Sequence, residues 1–460
     1  MNFLKKYKCD TAFLKMVAMI AIPIVLQQMV ENLVSLADSI MVSSYSSVGV
    51  SAVQIGSQWE NISFLFSFGI CSGVGIYLAQ FFGAKDYVNL KKSFGTMVVL
   101  SIGCAIPFIL MALLFPREIC RFYINDSNVI TNGANYLSIT GVSYLFTMVS
   151  FSFTYSYRSM GKTKITMVIS LIQVLSNLIM NYILIYGHFG FPELGIAGAA
   201  IATLLARVIG CSIYIIFTFK TKQVFVGNVK EMFRFDKAFI TPVLRRIAPT
   251  VTNEAFFGIG QSLYTKAFGY LGAASITAVA IADKISSLFF MVVWAVVSSV
   301  QAIVGAKLGE GDYATAKKYS YWFMGLGFVL SATLGVIMAT SSTMLVHQLY
   351  PNEQLMIKET AIAILIAYSI KLFLRFFNSI IFGLLRCGGD TKVLALLDSV
   401  ILYVVGIPIG FLCVSVFKLD VVTTVVILQL EQVVRIVLAY QRYQSGAWIK
   451  NVTKDIEKAN

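Results

Sequence analysis

Asp38 sits on a long apolar run, 14–43, together with Gln27 and Glu31. The three are spaced i, i+4 and i+11, so on a helix they share one stripe. Inside a membrane a charged side chain costs about 2.5–3.5 kcal/mol near a helix centre on insertion scales. Such groups persist mainly where they face a cavity or a partner. Glu60, in the following apolar run, is placed to join the same cavity. A carboxylate in that setting can take up and release a proton or a sodium ion. The plainer alternative is a hydrogen bond that only ties helices together, and for Glu31 and Glu60 the two readings are evenly matched.

Other polar groups recur on apolar runs. Asn177 and Asn181 lie four apart, on one helix face. They suit either neutral oxygens around a cation or ordinary interhelical hydrogen bonds. Thr203 is a weaker candidate, because threonine often bonds its own helix backbone. Pro23 removes a backbone donor from the first run and can serve as a hinge or a static kink. In the second half, Glu254 is an acid on an apolar run that can form an ion pair with Lys371 or Arg375. Asp283 with Lys284, and Glu431 with Arg435, read as structural pairs. Asp398 fits a cavity wall or a local pair, and Lys266 is a further base within a span.

The elements that must position these groups are membrane helices. The chain has 460 residues, 58% hydrophobic and only 13% charged, whereas soluble domains are nearer a quarter charged. Apolar runs long enough to span recur at 14–43, 50–82, 92–115, 130–157, 164–187, 195–219, 245–268, 274–306, 318–343, 357–385, 392–416 and 421–444. The expected class is an all-α integral membrane protein of about twelve transmembrane helices. The net charge of +14 is a topology signal and not a nucleic-acid footprint. Of the 36 Lys and Arg, 26 fall at the termini and on alternate loops, and four on the opposite loops. That asymmetry places both termini in the cytoplasm of a cell membrane. The basic start leads into a run containing Glu31 and Asp38 without a small-residue cleavage site, so it is expected to be a retained helix and not a signal peptide. The seven cysteines lack metal-ligand or redox spacing. The two histidines, His188 and His347, are expected in loops. No phosphate-cradling glycine loop supports ATP drive, and no protease or hydrolase motif supports an enzyme.

An internal repeat organises the chain. Gly83-x-x-Asp86-Tyr87, followed by Lys91-Lys92, returns as Gly309-x-x-Asp312-Tyr313, followed by Lys317-Lys318. Pro23 returns as Pro249 at the same offset of 226. Arg158-x-x-Gly161-x-Thr163-Lys164 returns as Arg386-x-x-Gly389-x-Thr391-Lys392 at 228. Each half has an even number of spans, so the halves are parallel repeats, the arrangement used for alternating access. The expected organisation is a six-helix bundle over 1–219, a cytoplasmic linker over 220–244, a second bundle over 245–445, and a tail over 446–460.

With these landmarks the chain resembles the multidrug and toxic compound extrusion (MATE) family, over about 15–445. The matching pieces are Pro23, Gln27-Gln28, Asp38-Ser-Ile-Met-Val, Gln80-x-x-Gly83-Ala-Lys-Asp86, Arg158-x-x-Gly161, Asn177-x-x-x-Asn181 and Gly195-Ile-Ala-Gly198 through Thr203. Ser43-Ser44 replaces the family's usual glycine, and Asn181 stands where some members carry aspartate. The resemblance implies two pseudo-symmetric six-helix bundles in a V. It also implies a cation site, proton or possible sodium, at Asp38, Asn177, Asn181 and Thr203, and makes Glu254 a candidate second coupling acid. The expected function is secondary efflux of amphipathic, often cationic, small molecules by alternating access, from a monomer without cofactor. Expected partners are those substrates and membrane lipid, not nucleic acid. The alternative is a flippase for a lipid-linked oligosaccharide precursor, which the bases Lys266, Lys284, Lys371 and Arg375 keep open.

Overall fold

Long apolar sequences with few helix breakers satisfy their backbone internally as helices when lipid is the solvent. The computed structural model describes residues 9–45, 47–124 and 126–457. Among these, every regular element is helical. The first half supplies α1 (Thr11–Tyr45), α2 (Ser47–Gly83), α3 (Tyr87–Leu114), a short α4 (Pro116–Tyr123), α5 (Ser127–Ser159), α6 (Thr163–Tyr186) and α7 (Gly195–Lys220). A single turn, α8 (Val229–Met232), follows in the connector. The second half supplies α9 (Lys237–Gly269), α10 (Ala273–Glu310), α11 (Tyr313–Leu349), α12 (Leu355–Cys387), α13 (Thr391–Val416) and α14 (Val421–Gln444), then a terminal turn, α15 (Thr453–Glu457).

Among the described residues, eleven helices are long and apolar enough to cross a membrane. The remaining long helix is α9, whose hydropathy is lowered by Arg245, Arg246, Glu254 and Lys266. Twelve long helices therefore stand where twelve are expected. Helix α9 begins at Lys237, so its opening turns come out of the segment expected to be linker. His347 also differs from expectation: it lies in the last turn of α11 and not in a loop. The helix simply outlasts the apolar run there, because its polar end residues still satisfy their backbone by continuing it.

Helix α1 shows how lipid sorts the side chains. Met19, Ile22, Leu26, Met29, Leu33, Leu36 and Ile40 are exposed. Their spacing alternates three and four, one continuous stripe. Ile20, Ile24 and Gln27 are buried on other faces. An outward apolar stripe of this length belongs against hydrocarbon; on the polar stripe Gln27 is buried, Asp38 half-buried and Glu31 exposed.

The chain forms two compact units: Ile22–Phe82 with Asp86–Ile247, and Met1–Ala21 with Gly83–Lys85 and Ala248–Asn460. The start of α1 belongs to the second unit, where Phe13 packs its ring 5.1, 5.2 and 4.9 Å from Tyr319, Trp322 and Phe323. The start of α9 belongs to the first, where Tyr77 donates to the Pro242 carbonyl at 3.3 Å and Phe239 stacks on Phe81. Lys92 pairs with Asp236 at 3.0 Å in the same unit.

The duplicated loop motifs are cap and turn chemistry. Asp86 accepts from the Asn89 amide at 3.1 Å at the start of α3, and Asp312 from the Thr315 amide at 3.0 Å at the start of α11. Gly161 and Gly389 adopt φ of 72° and 73°, a left-handed turn that favours glycine.

Candidate functional site

In the first unit, α1, α6, α7 and α5 bring the polar residues together. Asn181, buried on α6, donates its Nδ2 to Asp38 Oδ1 at 2.7 Å. The Asn177 amide faces the same carboxylate. With its nitrogen inward it donates to Asp38 Oδ2 at 2.9 Å and to Oδ1 at 3.2 Å. Both amides thus donate to a charged Asp38. Asn181 Oδ1 is buried without a hydrogen-bond partner. An orphaned acceptor beside a carboxylate fits a proton donor or a hard cation, both of which need oxygen.

Thr203 sits one step further away. Its hydroxyl donates to the Ala199 carbonyl at 3.0 Å, which leaves its lone pairs free to accept. It meets the cluster through Tyr136, buried on α5, whose hydroxyl is within reach of Thr203 and Ser57 and in the field of Asp38 and Glu60. Glu60 itself pairs with Arg207 at 3.3 Å. A partner base on α7 makes it more a tethered acid than an open cavity wall.

The other half of the α1 stripe forms a second group. Gln27 donates to Glu31 Oε1 at 3.0 Å, and Ser170 donates to the same oxygen at 2.5 Å. Arg158 and Thr166 donate to Gln27 Oε1 at 3.1 and 3.3 Å. Asp38 is therefore held by asparagines, while Glu31 belongs to an arginine-centred network. Pro23 lies well inside α1, which runs unbroken through it.

The second unit has its own polar core. Glu254 pairs with Arg386 at 3.5 Å. This corrects the expected pairing with Lys371 or Arg375: Arg386 ends α12 as Arg158 ends α5, and each reaches back to the first long helix of its half. The sequence shows both arginines as loop charges and as landmarks of the duplicated Arg-x-x-Gly motif, and that motif is the signal for this shared place. Asp398 accepts from Arg435 and, at 3.1 Å, from Asn253; Ser399 donates to Asn253 Oδ1 at 2.7 Å. Asp398 and Ser399 lie on a π turn, Leu396–Val400, which re-aims side chains within a helix. Glu431 pairs with Arg435 as expected, and it also accepts from Tyr264. Asp283 does not pair with Lys284. Neighbours in a helix point about 100° apart; Asp283 instead meets Tyr368, and both Asp283 and Lys284 are exposed. Among the described residues no three His, Cys, Asp or Glu side chains cluster as metal ligands.

Comparison with known proteins points one way. The MatE family model matches residues 23–183 and 249–412. From Bacillus subtilis, the "Uncharacterized transporter YisQ" is 26% identical over 428 residues, 90% of each chain. The "Probable multidrug resistance protein YoeA" of the same organism is 22% identical, over 95% of this chain and 94% of its own. Among solved structures, a MOP superfamily transporter from Pyrococcus furiosus superposes with a TM-score of 0.85 at 17% identity, covering 97% and 98% of the two chains. An outward-facing multidrug resistance MATE transporter gives 0.85 at 17%, covering 94% and 96%.

Proposed function

Since the chain belongs to the MatE family of transporters, a multi-pass membrane family and not an enzyme family, we propose that it is a secondary exporter of amphipathic, often cationic, small molecules. Each substrate is exchanged for a proton or a sodium ion bound at Asp38. The observation that carries this reading is the Asp38 cluster, with Asn181 donating at 2.7 Å and its own Oδ1 buried and unpartnered. Asp38 supplies the one formal charge among Asp38, Asn177, Asn181 and Thr203. One monovalent cation neutralises it. When the cation leaves, the Asn177 and Asn181 amides donate to the bare carboxylate; Pro23, on the same helix, lacks a backbone donor, which eases bending.

Relatives named as multidrug resistance proteins support efflux over transfer of a lipid-linked oligosaccharide. We take the protein to work as a monomer with both termini in the cytoplasm, on the Lys and Arg asymmetry of its loops. The test is ethidium transport by purified protein in liposomes, with proton and sodium gradients imposed separately. Uphill dye movement under one gradient names the ion. No movement under either refutes the reading, and lipid-linked sugars then become the substrates to assay.

A further inference from the structure

The second unit holds a polar cavity of about 110 Å³ between α9, α10, α12 and α14, room for several waters or a group of several heavy atoms. Its acids are already engaged. Glu431 accepts from Tyr264 and pairs with Arg435, which also pairs with Asp398. Asp283 accepts from Tyr368; Asp283 and Glu431 lie in electrostatic range of Lys371, and Asp398, Glu431 and Glu254 in that of Arg375. The bases are not engaged in the same way. Among the described residues, neither Lys371 nor Arg375 makes a hydrogen bond or an ion pair within 4 Å. Their contacts are with rings: Lys371 Nζ lies 4.0 Å from the Tyr368 centroid, and the Arg375 guanidinium 5.6 and 5.8 Å from Phe257 and Phe290. Ring faces hold a guanidinium in place without using its N–H donors. Arg375 therefore presents an unspent fork into a cavity, four residues and one helical turn from an unspent ammonium.

The internal repeat shows that this pair belongs to the second half. At the repeat offset of 228, Lys371 and Arg375 correspond to Ser143 and Thr147. Those hydroxyls merely bond their own helix, at 2.6 and 3.0 Å. At 226, Tyr264 corresponds to Asp38. The first half centres its polar cluster on a carboxylate held by neutral amides, and the second half lines its cavity with bases held by rings. A planar carboxylate matches the guanidinium fork bidentately.

We propose that this cavity binds a small organic anion, its carboxylate held by Arg375 and Lys371 and its apolar body among the rings of Phe257, Tyr264 and Tyr368. The inference does not depend on Asp38 or on an ion gradient, so it stands or falls apart from the exchange reading. The test is calorimetric titration of the full-length protein in detergent with benzoate, and with neutral benzamide as control. Wild type binds benzoate saturably and benzamide not at all. Arg375→Gln and Lys371→Gln each weaken benzoate binding at least tenfold. Arg375→Lys, which keeps the charge and loses the fork, falls between. Arg121→Gln, removing an exposed arginine of α4, binds as wild type does. If a cavity variant fails to fold, the thermal midpoint of wild type decides: benzoate raises it and benzamide does not. No saturable benzoate heat in wild type, or equal binding by Arg375→Gln, overturns the proposal. Binding of phenyl phosphate but not benzoate overturns the carboxylate assignment.

Discussion

Asp38→Asn is the perturbation with the most to say. Asparagine keeps the shape of aspartate, and its oxygen can still accept from Asn181 Nδ2, now 2.7 Å from Asp38 Oδ1. The structural loss is a charge-assisted bond replaced by a neutral one, about 1 kcal/mol, so insertion and folding persist. The functional loss is complete, because the site no longer binds a cation for exchange. A single carboxylate also sets the stoichiometry. One monovalent cation in for one monocationic ethidium out moves no net charge, so membrane potential does not drive it. A tenfold gradient of the coupling ion, about 1.4 kcal/mol at room temperature, then sustains at most a tenfold dye gradient. The assay is ethidium distribution in proteoliposomes, with potential clamped by valinomycin at several values. Wild type gives up to tenfold accumulation that ignores the clamp, and the variant gives none. Uphill transport by a well-folded Asp38→Asn, or wild-type accumulation that tracks the potential, refutes the reasoning.

Further expectations follow from the same geometry. Asn181→Asp adds a second acid beside Asp38 and makes sodium or proton exchange of a monocation charge-moving, which the same clamp series detects as a new dependence on potential. Glu254→Gln removes the 3.5 Å charge partner of Arg386 and lowers stability by about 3 kcal/mol, read by thermal unfolding in detergent; the double change with Arg386→Gln recovers part of it. Gly388→Ala places a Cβ 1.7 Å from the Trp448 carbonyl oxygen, and costs about 1–3 kcal/mol or more through overpacking, read as a lower unfolding temperature. Asp312 has its carboxyl held below its ordinary 3.8 by the Thr315 hydroxyl and amide. A lowered folded value means its contribution is present above 3.8 and lost as pH falls through that folded value. Unfolding temperature therefore drops less on acidification in Asp312→Asn than in wild type.

The sequence alone determined the solvent, the number of long helices and the duplication. Those depend on composition and periodicity, which are local and survive without any knowledge of contacts. It also marked Asp38, because an acid on an apolar helix is costly wherever the helix lies. Glu431 and Arg435 were legible as a pair since i and i+4 meet on any helix. Tertiary structure decided the rest. Only packing could give Glu254 to Arg386 and Asp398 to Arg435, for those partners are separated by long stretches of chain and choose among several bases of equal type. Only packing could separate Asp38 among asparagines from Glu31 beside Arg158, though both share one stripe of α1. Lys371 and Arg375 show the same limit from the other side. Their spacing was plain, but whether an acid or an aromatic ring would meet them depended on which faces of α9 and α10 turned inward, a choice made by the burial of whole helices and not by any one residue.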